Sequence, residues 1–175
     1  MPVTSFVDTH PLRGAFVANQ LERLVDIIML QGHALLEDAG LVIPSRAVSA
    51  VLLIGEHGTL SAADIASALA QPHQLVTQRI ELLIDLGVVE RITDPTDGRR
   101  KLIELTRVGH DQLKRLQARL VESEQAFSAL FAEIECDLSS IAERAIHALE
   151  RDPLLNRIQA LNPKTTSLIN TKQKV

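Results

Sequence analysis

Almost everywhere in this chain the apolar residues recur every three or four positions, and one stretch breaks that rhythm. Residues 88–93 (Val-Val-Glu-Arg-Ile-Thr) and 101–105 (Lys-Leu-Ile-Glu-Leu) are short, and the first is rich in β-branched side chains. Between them lies Asp-Pro-Thr-Asp-Gly-Arg-Arg. Asp94-Pro95 opens a turn, Gly98 serves its tip, and the flanks are expected to pair as a hairpin. The expected fold class is mostly α with a small β-hairpin.

The helical spacing organises the rest. Residues 11–38 carry Phe16, Val17, Leu21, Leu24, Val25, Ile28, Leu35 and Leu36, and Ala39-Gly40 ends that run. A second helix over 45–57 follows Pro44 and stops at His57-Gly58. Ser61 and Asp64 read as the cap and acidic third residue of a short helix, 61–69. After a tight turn at Ala70-Gln71, Pro72 stands at a first helical position, and the helix runs to Leu86 before Gly87.

Thr106 can cap a long helix whose Leu113, Leu116, Leu120, Ser123, Phe127, Leu130 and Ile134 form a heptad seam with one polar break. That seam is expected at a dimer interface or in an internal core. After a corner at 136–137, a last helix carries Leu138, Ile141, Ala145, Ile146 and Leu149, and 154–161 adds a short helical turn. Residues 162–175 hold three Lys and no acid and are expected to be disordered.

The order helix, turn, helix, strand, charged turn, strand is that of a winged helix-turn-helix lobe. The second helix of such a pair fits the major groove of double-stranded DNA, and the hairpin beside it reaches the minor groove. On a helical wheel, Val76, Ile80 and Leu83 of 72–86 face inward and Gln74, Thr77 and Gln78 outward, with His73 in the first turn. Amides pair bidentately with adenine. Arg79, on the flank, reaches a phosphate or an acid of the protein itself. In the wing, Arg99 suits the negative potential of a narrow minor groove, with Arg100 and Lys101 near phosphates. Asp97 braces the turn or Arg99.

Charge narrows this further. Residues 58–106 hold five Lys and Arg against seven Asp and Glu, and three of the five fall at 99–101. The lobe is not basic; its tip is. A net charge of −4 argues against a protein that coats nucleic acid non-specifically, and the lack of Trp and Tyr against stacking on single strands.

These residues resemble the MarR family of transcriptional regulators over roughly 12–150. That family's wing reads D-x-R, five residues, then L-T, with D-P before it and x-x-G after. Here Asp94-Pro95, Asp97-Gly98-Arg99, Leu105-Thr106 and Gly109 fall in register. Gly87-Val-Val-Glu-Arg91 is similar to the family's G-L-V-E-R, and Leu60-Ser61, Ile65-Ala66 and Leu69 to its first helix-turn-helix helix. Gln78 stands where the family commonly has Arg, and Pro72 where a polar cap is usual.

The resemblance implies a homodimer: a repressor on a pseudo-palindromic operator, relieved by a small aromatic or phenolic effector. Residues 1–40 would form an arm and first dimerisation helix, 41–106 the winged lobe, and 107–161 the C-terminal dimerisation helices. Leu21, Leu113, Leu116, Leu120, Phe127, Leu138, Ile141 and Ala145 would lie at the dimer interface. His33, Arg46 and His57 would border the effector crevice between lobe and dimer body.

Other classes find less support. The six His show no i, i+4 pair and no metal cluster is evident. Nor is there a nucleophile elbow or phosphate loop, so neither an enzyme nor a cofactor is expected. Cys136, the one cysteine, has nothing basic adjacent and reads as structural or incidental. No leader peptide is evident and no apolar run approaches the ~20 residues of a membrane span, which suits the cytoplasm. The acidic lobe leaves a second function open: a winged-helix module that docks a protein.

Overall fold

The computed structural model describes residues 5–161; the tail expected to be disordered lies outside them. The helices are α1 (Phe6–Thr9), α2 (Val17–Asp38), α3 (Val48–His57), α4 (Ala62–Ala68), α5 (His73–Asp85), α6 (Arg107–Glu133), α7 (Leu138–Arg151) and α8 (Leu154–Leu161). Short 3-10 turns at Arg13–Ala15 and Ser45–Ala47 precede α2 and α3. Strands β1 (Val89–Thr93) and β2 (Lys101–Leu105) pair antiparallel, with Val89 opposite Leu105 and Thr93 opposite Lys101.

The N-terminal helix expected from residue 11 begins later, at Val17. Pro11 and Gly14 break the segment, and the Leu12 N–H turns back onto His10 Nδ1 at 3.1 Å. Elsewhere the local chemistry sets the boundaries. Ser61 accepts the Asp64 N–H at 3.2 Å while the Asp64 carboxylate accepts the Ser61 N–H at 3.0 Å, a reciprocal cap that starts α4. Pro72 is the cap of α5 and not its first helical residue, which is His73. Gly87, at φ 66°, takes the left-handed conformation that ends α5.

Compactness divides the chain between Glu122 and Ser123. The N-terminal unit has one core, centred on Val51, Ile54, Ile65, Ile80, Leu83 and Leu116. Val88 and Val89 extend it under the hairpin. The start of α6 is pinned to the start of β1: Thr106 Oγ1 donates to the Gly87 carbonyl at 2.6 Å and accepts the Gly109 N–H at 3.0 Å. Gly109 is required there, because a Cβ would lie 2.0 Å from the Val88 carbonyl oxygen.

The heptad seam has two fates. Leu116 is 0% and Leu113 9% exposed within a single chain, and Leu120 packs partly buried against the same core. The lobe itself therefore encloses Leu113 and Leu116 and leaves little of Leu113 and none of Leu116 for the dimer partner expected of them. Phe127, Leu130 and Ile134, beyond the polar break at Ser123, remain exposed. In the C-terminal unit Ile141, Ala145, Ile146 and Leu149 of α7 are exposed, with Leu138 half-buried. Leu21 and Leu30 of α2 are also exposed.

Candidate nucleic-acid interface

The recognition helix, α5, is held from below by Val76, Ile80 and Leu83, each no more than 1% exposed. That leaves His73, Gln74 and Gln78 fully outward and Thr77 half-buried on the same side. The Thr77 hydroxyl donates to the His73 carbonyl at 2.9 Å, so toward a ligand it is an acceptor. No side chain caps the N-terminus of α5, because Pro72 has none to offer. The positive end of the helix dipole there is a setting that favours phosphate.

Arg79 turns inward. Its Nη1 donates to the Gln71 side-chain oxygen in the turn before α5. Its pKa lies below the usual arginine value, first because the group is partly buried and second because the Arg46 guanidinium is near. Within the chain it pairs with an amide and not with the internal acid considered from sequence.

The wing tip is built on two aspartates. Asp94 Oδ1 accepts the Thr96 N–H at 2.8 Å, the Thr96 hydroxyl at 2.7 Å and the Asp97 N–H at 3.3 Å. The Thr96 hydroxyl and then its N–H hold the Asp94 pKa below its ordinary value. Asp97 Oδ1 accepts the Arg99 N–H at 3.0 Å, so Asp97 braces the turn. The Arg99 guanidinium is exposed and makes no hydrogen bond or ion pair among the described residues. Lys101 Nζ donates to Thr93 Oγ1 across the hairpin at 2.9 Å.

Arg100 departs from expectation. Its guanidinium is engaged within the protein, with Asp64 at 2.5 Å and Asp94 at 3.8 Å, and does not project with Arg99. Sequence reasoning missed Asp64 in this role because it lies 36 positions from Arg100.

Beneath the exposed face of α5 lies a cavity of about 500 Å³. His33 and Arg46 line it, together with Leu75, Gln78 and Leu82 of α5. Arg46 is paired there with Asp26 at 3.0 Å. His57 is not part of it; it sits exposed at the end of α3. The seven-residue spacing of Leu75 and Leu82, both left outside the lobe core, was the sequence sign of this cavity. Among the described residues no group of His, Cys, Asp and Glu could hold a metal, and no helix is long and apolar enough to cross a membrane.

A packed helix-turn-helix pair, an outward polar recognition face and a braced hairpin define a winged helix-turn-helix lobe. Residues 43–100 match the family model described as MarR family. The chain is also similar to solved structures of transcriptional regulators. A MepR-like protein complexed with pseudoligands is 20% identical, with 82% of this chain and 93% of that one covered and a TM-score of 0.57. PcaV from Streptomyces coelicolor, in complex with its natural ligand, is 19% identical over 85% and 96%, TM-score 0.56. A cysteine-to-serine mutant of MarR from E.coli, complexed with operator DNA, is 18% identical over 77% and 94%, TM-score 0.53. No curated protein sequence matches the chain.

Proposed function

We propose that this protein is a sequence-specific transcriptional regulator that binds double-stranded DNA in the cytoplasm as a homodimer. The observation that carries the reading is the pairing of an outward face of Gln74, Thr77 and Gln78 with an Arg99 left free at a braced wing tip. α5 would enter the major groove with Gln74 and Gln78 reading adenines, and Arg99 would enter the adjacent minor groove. The exposed apolar residues of α2, the second half of α6, α7 and α8 would be covered by the second copy, in keeping with two-fold operator recognition. The operator-bound MarR structure supports this, since it shares the fold.

Repression relieved by a small aromatic or phenolic effector in the cavity beneath α5 completes the proposal. An effector shifts the equilibrium only by its differential affinity for the two states. The cavity suits that role because Gln78 lines it and also belongs to the outward face of α5. The test is capture of sheared genomic DNA from the source organism by the wild type and by Arg99→Ala, at two salt concentrations. Enrichment of a few pseudo-palindromic fragments, weakened by the substitution and by salt, supports the reading. Absence of enrichment by the folded protein contradicts it and favours a winged lobe that docks a protein.

A further inference from the structure

We propose that Arg100 is the positioning residue of the wing and not a phosphate ligand. Together with Asp64 and Ser61 it locks the hairpin to the cap of α4 and so sets the direction in which Arg99 leaves the tip. The inference rests on the DNA-binding reading and deepens it.

Three observations carry it. Arg100 Nη2 donates to Asp64 Oδ2 at 2.5 Å and lies 3.5 Å from Ser61 Oγ, while Nη1 stands 3.8 Å from Asp94 Oδ2. The guanidinium thus sits between two carboxylates, one at the start of α4 and one at the base of the turn. Second, Asp64 Oδ2 is the atom that accepts from the Ser61 N–H at 3.0 Å and the Ser61 hydroxyl at 2.7 Å. A single carboxylate oxygen therefore joins the helix cap to the wing. Third, the hairpin is held at another point farther along β2. The Leu60 N–H donates to the Ile103 carbonyl at 3.1 Å, and the Ile103 N–H to the Leu60 carbonyl at 2.8 Å.

Two attachments fix a direction, where one would leave a pivot. With both in place, the residues free to project are 95–99, and Arg99 is the cation among them. An arginine shared by two carboxylates brings little net charge to a phosphate. A pre-set tip lowers the ordering cost of inserting Arg99 into a groove.

The two roles predict opposite results in a salt titration. The probe is a short labelled duplex carrying the most enriched genomic fragment, bound by wild type, Arg99→Ala, Arg100→Ala, Asp64→Asn and the Asp64→Asn/Arg100→Ala double variant. Asn at 64 keeps an oxygen to accept the Ser61 N–H, so the cap of α4 persists, and it removes the negative charge that holds Arg100. If Arg100 contacts phosphate, Arg100→Ala lowers the salt slope by about 0.9, and Asp64→Asn tightens binding by removing a negative charge. For a brace, Arg100→Ala leaves the slope unchanged, and only Arg99→Ala lowers it. Asp64→Asn and Arg100→Ala each weaken binding about two- to fivefold, and the double variant is no weaker than either single one.

Hydrogen exchange without DNA supplies a second arm. The amides of Thr96, Asp97 and Arg99 exchange faster in both Asp64→Asn and Arg100→Ala, while those in the middle of α5 keep their wild-type rates. Tighter binding by Asp64→Asn, or unchanged exchange at the tip, overturns the proposal. Failure of the wild type to bind any duplex removes the DNA-binding reading, and the exchange arm still decides whether Arg100 holds the wing.

Discussion

Replacing Gly109 by alanine tests how the wing is joined to the helix that follows it. The new Cβ would sit 2.0 Å from the Val88 carbonyl oxygen. An ordinary C···O approach is about 3.4 Å, so the backbone of α6 or β1 must move by more than an ångström. That carbonyl also accepts the Thr106 N–H at 3.1 Å and stands 3.3 Å from the Thr106 hydroxyl. Overpacking costs roughly 1–3 kcal/mol, and here the obstacle is backbone, which places the change at the upper end. Loss of one hydrogen bond at Val88 adds about 1 kcal/mol. Alanine returns about 1 kcal/mol of helix propensity. The net expectation is a destabilisation of roughly 2–4 kcal/mol. Urea unfolding followed by far-UV circular dichroism reads it as a lower midpoint at unchanged slope. Gly14→Ala, where a Cβ meets nothing within 4 Å, is the control and should stay within about 0.5 kcal/mol of wild type. A Gly109→Ala protein as stable as Gly14→Ala would refute the close approach.

Other substitutions probe separate links. Leu116→Ala removes a side chain with no exposed surface and should cost about 2–5 kcal/mol by the same unfolding assay, at any protein concentration. Ala70, at φ 49°, turns the chain between α4 and α5 in a conformation that disfavours a Cβ. Ala70→Gly should therefore stabilise by up to about 1 kcal/mol after glycine's greater unfolded-state entropy is set against the relief, read as a raised Tm. Phe127→Asp should leave the helical signal intact but shift the protein from dimer to monomer in analytical ultracentrifugation. The Asp94 and Asp64 carboxylates both have folded pKa values below the ordinary 3.8, chiefly through the Thr96 and Ser61 hydroxyls. Their contribution to stability is complete above that value and is lost as pH falls through the lower folded values. Asp94→Asn should accordingly flatten the fall of Tm between pH 5 and 2, and an unchanged profile would contradict the assignment.

The hairpin and the helix-turn-helix pair were legible in the sequence because several local rules coincide there. Asp-Pro and Gly mark the turn, Ser61 and Asp64 cap one helix, and Gly87 ends the other. Arg99 was legible as the free wing cation because its position in the turn is set by its neighbours. Arg100 was not, since its partner is brought to it by the packing of α4 against the hairpin. The same limit applies to the long seam. Leu113 and Phe127 occupy equivalent heptad positions, yet one lies in the lobe core and the other on the surface. Spacing reports which face of a helix is apolar and not what covers it; the polar break at Ser123 was the one hint, and the compact units divide there. His57 was placed at the crevice because the helix over 45–57 was expected to border it, and membership of a helix does not determine where a side chain faces.

The central claim is that α5 and Arg99 together read a two-fold site in DNA. A hydroxyl-radical footprint on the most enriched genomic fragment tests it most directly. The account predicts two symmetric protected segments about one helical turn apart, with flanking minor-groove protection that disappears in Arg99→Ala. A folded protein that protects no particular sequence, or that protects the same flanks with and without Arg99, would contradict it.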